Sequence, residues 1–99
     1  MKVSFDDLHK AFENRVRLGI MSALVVNDFL DFTSLKELLE VTDGNLATHL
    51  KKLEQEDFIA VEKTFIDRKP NTKYVATKEG KQAFAQHLNV LEQIINQQK

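Results

Sequence analysis

The chain has no cysteine, three glycines and one proline in 99 residues. Without thiols it can build no disulfide framework, zinc ribbon, thiolate metal sensor or cysteine nucleophile. The scarcity of breakers, Gly19, Gly44, Gly80 and Pro70, points to a mostly helical chain with short turns. No run of about 18 apolar residues occurs, so no membrane span is expected. The opening Met1-Lys2-Val3-Ser4-Phe5-Asp6-Asp7 turns acidic before any apolar stretch forms, so it does not read as a signal peptide. A cytoplasmic setting is the expectation. There is no Gly-rich phosphate loop and no nucleophile-elbow motif, so neither catalysis nor a cofactor is expected. His9 and His87 stand without a histidine pair at ligand spacing or a carboxylate cluster, and no metal site is assigned to them.

What is present suits one small folded domain over residues 1–99: 42% of the residues are hydrophobic, an ordinary fraction for a globular chain. The formal net charge is −1, but it is unevenly spread. From Thr42 to Glu62 two lysines face five acids, a local net of −3. From Lys63 to Lys81 six basic residues (Lys63, Arg68, Lys69, Lys73, Lys78, Lys81) face Asp67 and Glu79, a local net of +4. Positive potential is concentrated in this later segment, which is where a polyanion would settle.

Phe5, Leu8 and Phe12 recur on one helical face and predict a first helix from about Ser4 to Glu13. Asn14 to Val26 is apolar nearly all round, which predicts a buried second helix ended by Asn27-Asp28. At least one of its arginines, Arg15 or Arg17, is expected to make a structural salt bridge. Phe29 to Phe32 reads as a short connector with one or two strand residues. Thr33 or Ser34 then caps a third helix, with Ser34 and Glu37 matching a capping box. Thr42 suits the N-cap of a fourth helix, about 43–56, in which Leu46, Leu50 and Leu53 face inward. Its outer face carries Asn45, Thr48 and Lys52, flanked by His49 and Lys51. After Glu56-Asp57 the period becomes two. Phe58 to Phe65 and Tyr74 to Thr77 read as strands joined by the basic loop Asp67-Arg68-Lys69-Pro70-Asn71-Thr72. Thr77 caps a last helix, about Lys78 to Gln98, with a stripe at Phe84, Leu88, Leu91 and Ile95.

This order predicts a mainly α fold with a small β-hairpin, a winged helix-turn-helix of about five helices and a two- or three-stranded wing sheet. The third and fourth helices form the helix-turn-helix. A helix of this kind fits the major groove of duplex DNA, and a basic hairpin, about 66–73, reaches backbone or minor groove.

Several strings carry a family likeness between about Phe12 and Phe84. They are Asn14-Arg15-Val16-Arg17-Leu18-Gly19-Ile20-Met21, Phe32-Thr33-Ser34-Leu35-Lys36-Glu37, Thr42-Asp43-Gly44-Asn45-Leu46-Ala47-Thr48-His49-Leu50-Lys51-Lys52-Leu53, Arg68-Lys69-Pro70-Asn71-Thr72-Lys73-Tyr74 and Thr77-Lys78-Glu79-Gly80. On these the chain resembles MarR/ArsR-like winged-helix regulators, above all the compact single-domain winged-helix DNA-binding family of archaea and bacteria. The resemblance implies a sequence-specific transcriptional regulator of double-stranded DNA, a homodimer on a pseudo-palindromic operator. Its dimer interface would be built from the first and last helices. It also implies glycine at the end of the recognition helix, where this chain has Asp57, and an arginine on that helix, where this chain has none.

The DNA-contacting candidates are Asn45, Thr48, His49, Lys52, Arg68, Lys69, Asn71 and Lys73; for His49 the alternative is a half-buried residue bonded to the body. The dimer candidates are Phe5, Leu8, Phe12, Phe84, Leu88, Leu91 and Ile95. The rival reading is a winged-helix adaptor for another protein, motivated by the acidic window Glu54-Gln55-Glu56-Asp57.

Overall fold

The computed structural model describes residues 3–97. Met1, Lys2 and Lys99 lie outside the described residues, as does Gln98, the expected end of the last helix. Two 3-10 turns, Phe5–Asp7 and Lys10–Phe12, precede helix α1 (Arg15–Leu24), strand β1 (Leu30–Asp31) and helix α2 (Phe32–Leu39). Helix α3 (Asp43–Gln55), the hairpin β2 (Ile59–Ile66) and β3 (Lys69–Ala76), and helix α4 (Lys78–Gln97) follow. The strands form one antiparallel sheet in the order β1-β3-β2. Among the described residues, four α-helices stand where about five helices were expected, beside a three-stranded sheet.

The missing helix is the first. Ser4 to Glu13 does not run as one α-helix because side chains intercept its backbone at Leu8-His9. Ser4 and Asp7 form a capping box on the first turn. His9 then caps the second turn, its Nδ1 accepting from the Ala11 N–H at 3.1 Å. The His9 N–H donates to His87 Nδ1 of α4 at 3.2 Å. Local side-chain bonds of this kind compete directly with helix continuation.

Helix α1 follows expectation at its start, where Asn14 Oδ1 accepts from the Val16 and Arg17 N–H groups. It buries Val16, Ile20, Met21, Ala23 and Leu24, but it ends early and Val26 is left exposed. Helix α2 begins earlier than expected. Its cap is Asp31, whose carboxylate accepts from the Ser34 N–H at 2.8 Å, so Ser34 lies inside the first turn instead of capping it. That hydrogen bond holds the Asp31 carboxyl below the usual carboxylate range. The core joins α1, Leu35 of α2, Leu46, Leu50 and Leu53 of α3, and Phe58, Ile59 and Phe84.

The junction between α3 and the sheet explains the Thr77-Lys78-Glu79-Gly80 string. Thr77 Oγ1 donates to Asp57 O at 2.6 Å and accepts from the Gly80 N–H at 2.9 Å, while Thr77 N donates to Phe58 O at 3.0 Å. Asp57, where the resemblance implies glycine, takes φ 61°, the left-handed conformation that glycine would adopt more cheaply.

Candidate nucleic-acid interface

Helix α3 is held by its buried leucines, and Thr42 Oγ1 caps it by accepting from the Asn45 N–H at 3.2 Å. Its outward residues are not equivalent. Asn45 is exposed, and its side-chain amide has no hydrogen-bond partner among the described residues, so both its oxygen and its NH2 are free. Thr48 is exposed, but its hydroxyl already donates to Gly44 O at 2.9 Å. It can still accept a hydrogen bond or present its methyl group. Lys51 and Lys52 are exposed. The acid at the head of the helix, Asp43, is matched by Lys36 of α2 at 2.7 Å, the one ion pair among the described residues.

His49 belongs partly to the body. It is half-buried, and its Nδ1 lies 3.0 Å from the Arg17 Nη1. A guanidinium only donates, so Nδ1 is the acceptor and the ring proton sits on Nε2. Burial, Arg17 and Lys52 all hold its pKa below the ordinary histidine value. Arg17 also donates from Nε to Ala11 O at 2.7 Å. It thus ties the second 3-10 turn to α3. The expected salt bridge from Arg15 or Arg17 is absent among the described residues.

The hairpin differs from the expected pair of short strands around a six-residue loop. Pairing runs from Ile59↔Ala76 to Ile66↔Lys69, leaving Asp67 and Arg68 alone as the turn. Both have positive φ, 51° and 68°, as a tight primed hairpin turn requires. An arginine held there is unusual, since a Cβ is disfavoured in that region. Because β3 continues to Lys69, side chains alternate along it. Lys69, Asn71 and Lys73 share the face opposite Tyr74, which packs on the core. Arg68 and Lys69 are exposed at the tip, and Asn71 is half-buried. Lys73 is also half-buried, its Nζ 4.1 Å from the centre of the Phe29 ring, a cation–π contact at the base of the wing. Lys63, cross-strand from Thr72, supplies an exposed cation on the other face, and only the strand register reveals it.

The candidate dimer stripe divides in two. Phe12 (3% exposed) and Phe84 (6%) are core residues of the protomer, their rings 5.4 Å apart and edge to face. They are not on the surface, a correction to the sequence reading. Periodicity alone cannot distinguish an apolar face covered by the same chain from one left open. Helix α4 buries Gly80, Phe84, His87, Val90 and Ile94. At ~100° per residue this inner face is centred about 70° round the helix from the expected stripe. Leu88 (48% exposed) and Ile95 (59%) consequently face outward, with Leu91 half-buried between them. Val3 and Gln97 exchange two backbone-to-side-chain hydrogen bonds, 2.7 and 3.2 Å, which tie the first 3-10 turn to the last turn of α4. Phe5 is exposed and Leu8 half-buried in this N-terminal segment, whose bonds to Gln97 and His87 meet α4 away from the side that carries Leu88 and Ile95.

This architecture, a helix-turn-helix followed by a protruding hairpin, is that of a winged helix. A family model described as a winged helix DNA-binding domain matches residues 16–95, and the chain belongs to that family. It is similar to an uncharacterized protein of Methanocaldococcus jannaschii, 38% identical over 79 residues that span 80% of this chain and 86% of the relative. Among solved structures it is similar to a transcriptional regulator homologue from Pyrococcus horikoshii OT3. There the TM-score is 0.83 at 30% identity, covering 90% of this chain and 88% of the other. A MarR-family transcriptional regulator of Enterococcus faecalis V583 shares the fold, with a TM-score of 0.70 at 23% identity over 82% of this chain and 72% of the other.

Proposed function

We propose that the chain is a transcriptional regulator that binds double-stranded DNA as a homodimer, with α3 in the major groove and the hairpin on the flanking backbone or minor groove. The observation that carries this reading is the free polar edge of α3, set on buried Leu46, Leu50 and Leu53 and followed in the chain by a hairpin whose exposed tip bears Arg68 and Lys69. Its family membership supports it. Asn45 is the principal base reader: a free carboxamide pairs in two places with adenine in the major groove. Thr48 offers a methyl group to thymine or an acceptor to a base amine. His49 can donate from Nε2 to a phosphate while Arg17 fixes its ring. Lys52, Arg68 and Lys69 contact phosphates, with Asn71 alongside, and Lys73 supports the base of the wing.

A second copy packs on the outer side of α4 at Leu88, Leu91 and Ile95 and on Phe5 and Leu8 of the N-terminal segment. Two-fold symmetry then places the recognition helices on half-sites about 10 bp apart in a pseudo-palindromic operator. Residues 1–99 act as one winged-helix unit in this arrangement.

The test is selection of bound duplexes from a random pool, followed by affinity measured against salt. Steep weakening with salt is expected, because each phosphate contact releases condensed counterions. Lys69→Ala weakens all sequences alike, whereas Asn45→Ala changes the preference among them. Salt-insensitive or absent binding, with a stoichiometric protein partner recovered instead, would sink the reading.

A further inference from the structure

The first turn of α1 holds Arg15 and Arg17 and no acid. Cations are disfavoured there, because the N-terminal end of a helix carries partial positive charge. Arg17 is compensated by Ala11 O and His49. Arg15 is not: among the described residues it has no hydrogen bond and no carboxylate within 4.0 Å. Its exposed side chain instead lines a cleft of about 260 Å³ with Val16, Leu39, Glu40, Val41 and Asn45. The apolar members come from α1, α2 and the turn that follows. The polar members are Arg15, Asn45 and Glu40, the last at the left-handed end of α2 with φ 54°.

We propose that this cleft seats a backbone phosphate of the bound duplex, held by the Arg15 guanidinium next to the base read by Asn45. The proposal rests on the DNA-binding reading above. The segment Thr42 to Glu62 is locally acidic, with a net of −3 and no arginine. Lys36 offsets one of its acids, Asp43, but no cation of α3 itself lines the cleft. Arg15 supplies from α1 the charge that the leading end of α3 lacks. A guanidinium suits this task because its planar donors match two phosphate oxygens at once. Arg15 lies on a helix behind the reading one, so it positions the protein and carries no sequence preference of its own. Glu40 shares the cleft and opposes the incoming anion.

Duplex affinity measured across a salt series for wild type, Arg15→Ala, Arg15→Lys and Glu40→Gln tests the proposal. Arg15→Ala is expected to flatten the log–log salt slope by about 0.9 per protomer and, at ~0.1 M salt, to weaken binding about eightfold per protomer, the worth of one released counterion. Its preference among sequences stays unchanged. Arg15→Lys keeps the slope and loses only part of the affinity, and Glu40→Gln binds more tightly than wild type. Wild-type binding with an unaltered slope and affinity in a folded Arg15→Ala protein would overturn the proposal while leaving DNA binding intact. So would altered sequence preference in Arg15→Ala. A thermal shift by inorganic phosphate that needs Arg15, with duplex binding independent of it, would also overturn it by assigning the cleft to a free anion. Failure of the wild type to bind any duplex overturns the underlying reading instead.

Discussion

Gly80→Ala is the substitution whose cost follows most directly from the structure. A Cβ at this position would lie 2.0 Å from Phe58 O, 2.8 Å from its carbonyl carbon and 3.0 Å from its Cα. A carbon and a carbonyl oxygen approach no closer than about 3.3 Å, so roughly 1.3 Å of movement is required. No flexible side chain can absorb it, because the obstacle is backbone. That backbone is also pinned: Phe58 N donates to Leu53 O, and Phe58 O accepts from Thr77 N, both at 3.0 Å. Overpacking of this kind costs about 1–3 kcal/mol, and loosening the Thr77 bond adds about 1 kcal/mol. Alanine recovers up to about 1 kcal/mol through its better helix propensity. The net loss is about 1–3 kcal/mol, which in a domain of this size lowers Tm by roughly 5–25 °C. Thermal unfolding followed by circular dichroism at fixed protein concentration measures it. Gly44→Ala is the control: its Cβ meets nothing within 4 Å, and Tm should hold or rise by a few degrees. A Gly80→Ala protein melting within about 3 °C of wild type would refute the close packing of α4 on the Phe58 backbone.

Other outcomes are equally specific. Asp31→Ala should cost about 1 kcal/mol in urea unfolding and Ser34→Ala under about 0.5 kcal/mol, since Asp31 carries the cap; the reverse order would restore Ser34 to that role. Burial, with neighbouring His9 next, holds the His87 imidazole below its ordinary value, so as pH falls through about 6.5 the unfolded chain takes up a proton first. Stability is therefore full above that pH and declines on acidification until folded His87 itself titrates. His87→Asn keeps an acceptor for the His9 N–H and should lose less stability between about pH 7.5 and 5.5. Some loss persists, because His49 shifts in the same direction. An unchanged loss in the variant would show that His87 is not its source. Leu88→Glu or Ile95→Glu should leave the protomer folded and shift sedimentation toward the monomer, whereas a dimer intact in both would move the interface elsewhere.

The elements that could be read along the chain are those whose determinants are local. Thr42 followed by Leu46, Leu50 and Leu53 defines α3 within 12 residues, and Thr77 as the cap of α4 is equally self-contained. The left-handed turn at Asp57 agrees with the resemblance, which implies glycine at that position. The segment Ser4 to Glu13 departs from its pattern because its apolar spacing is helical while Ser4 and His9 cap two separate turns. One of the bonds that break it reaches 78 residues away to His87, beyond the reach of any local pattern. The wing was legible as basic, but not in its faces: pairing of Ile66 with Lys69 shrinks the loop to two residues and sets Lys63 apart from Lys69, Asn71 and Lys73.

The sequence by itself determined that this is a small winged helix with a polar outer face on α3 and a positively charged hairpin, because periodicity, caps and local charge are properties of neighbouring residues. Tertiary structure decided what those residues are free to do. It placed Phe12 and Phe84 in the core, engaged His49 with Arg17, and left Arg15 beside Asn45 in an open cleft. Those outcomes depend on which surfaces the folded chain covers, and that is settled only when distant segments pack together.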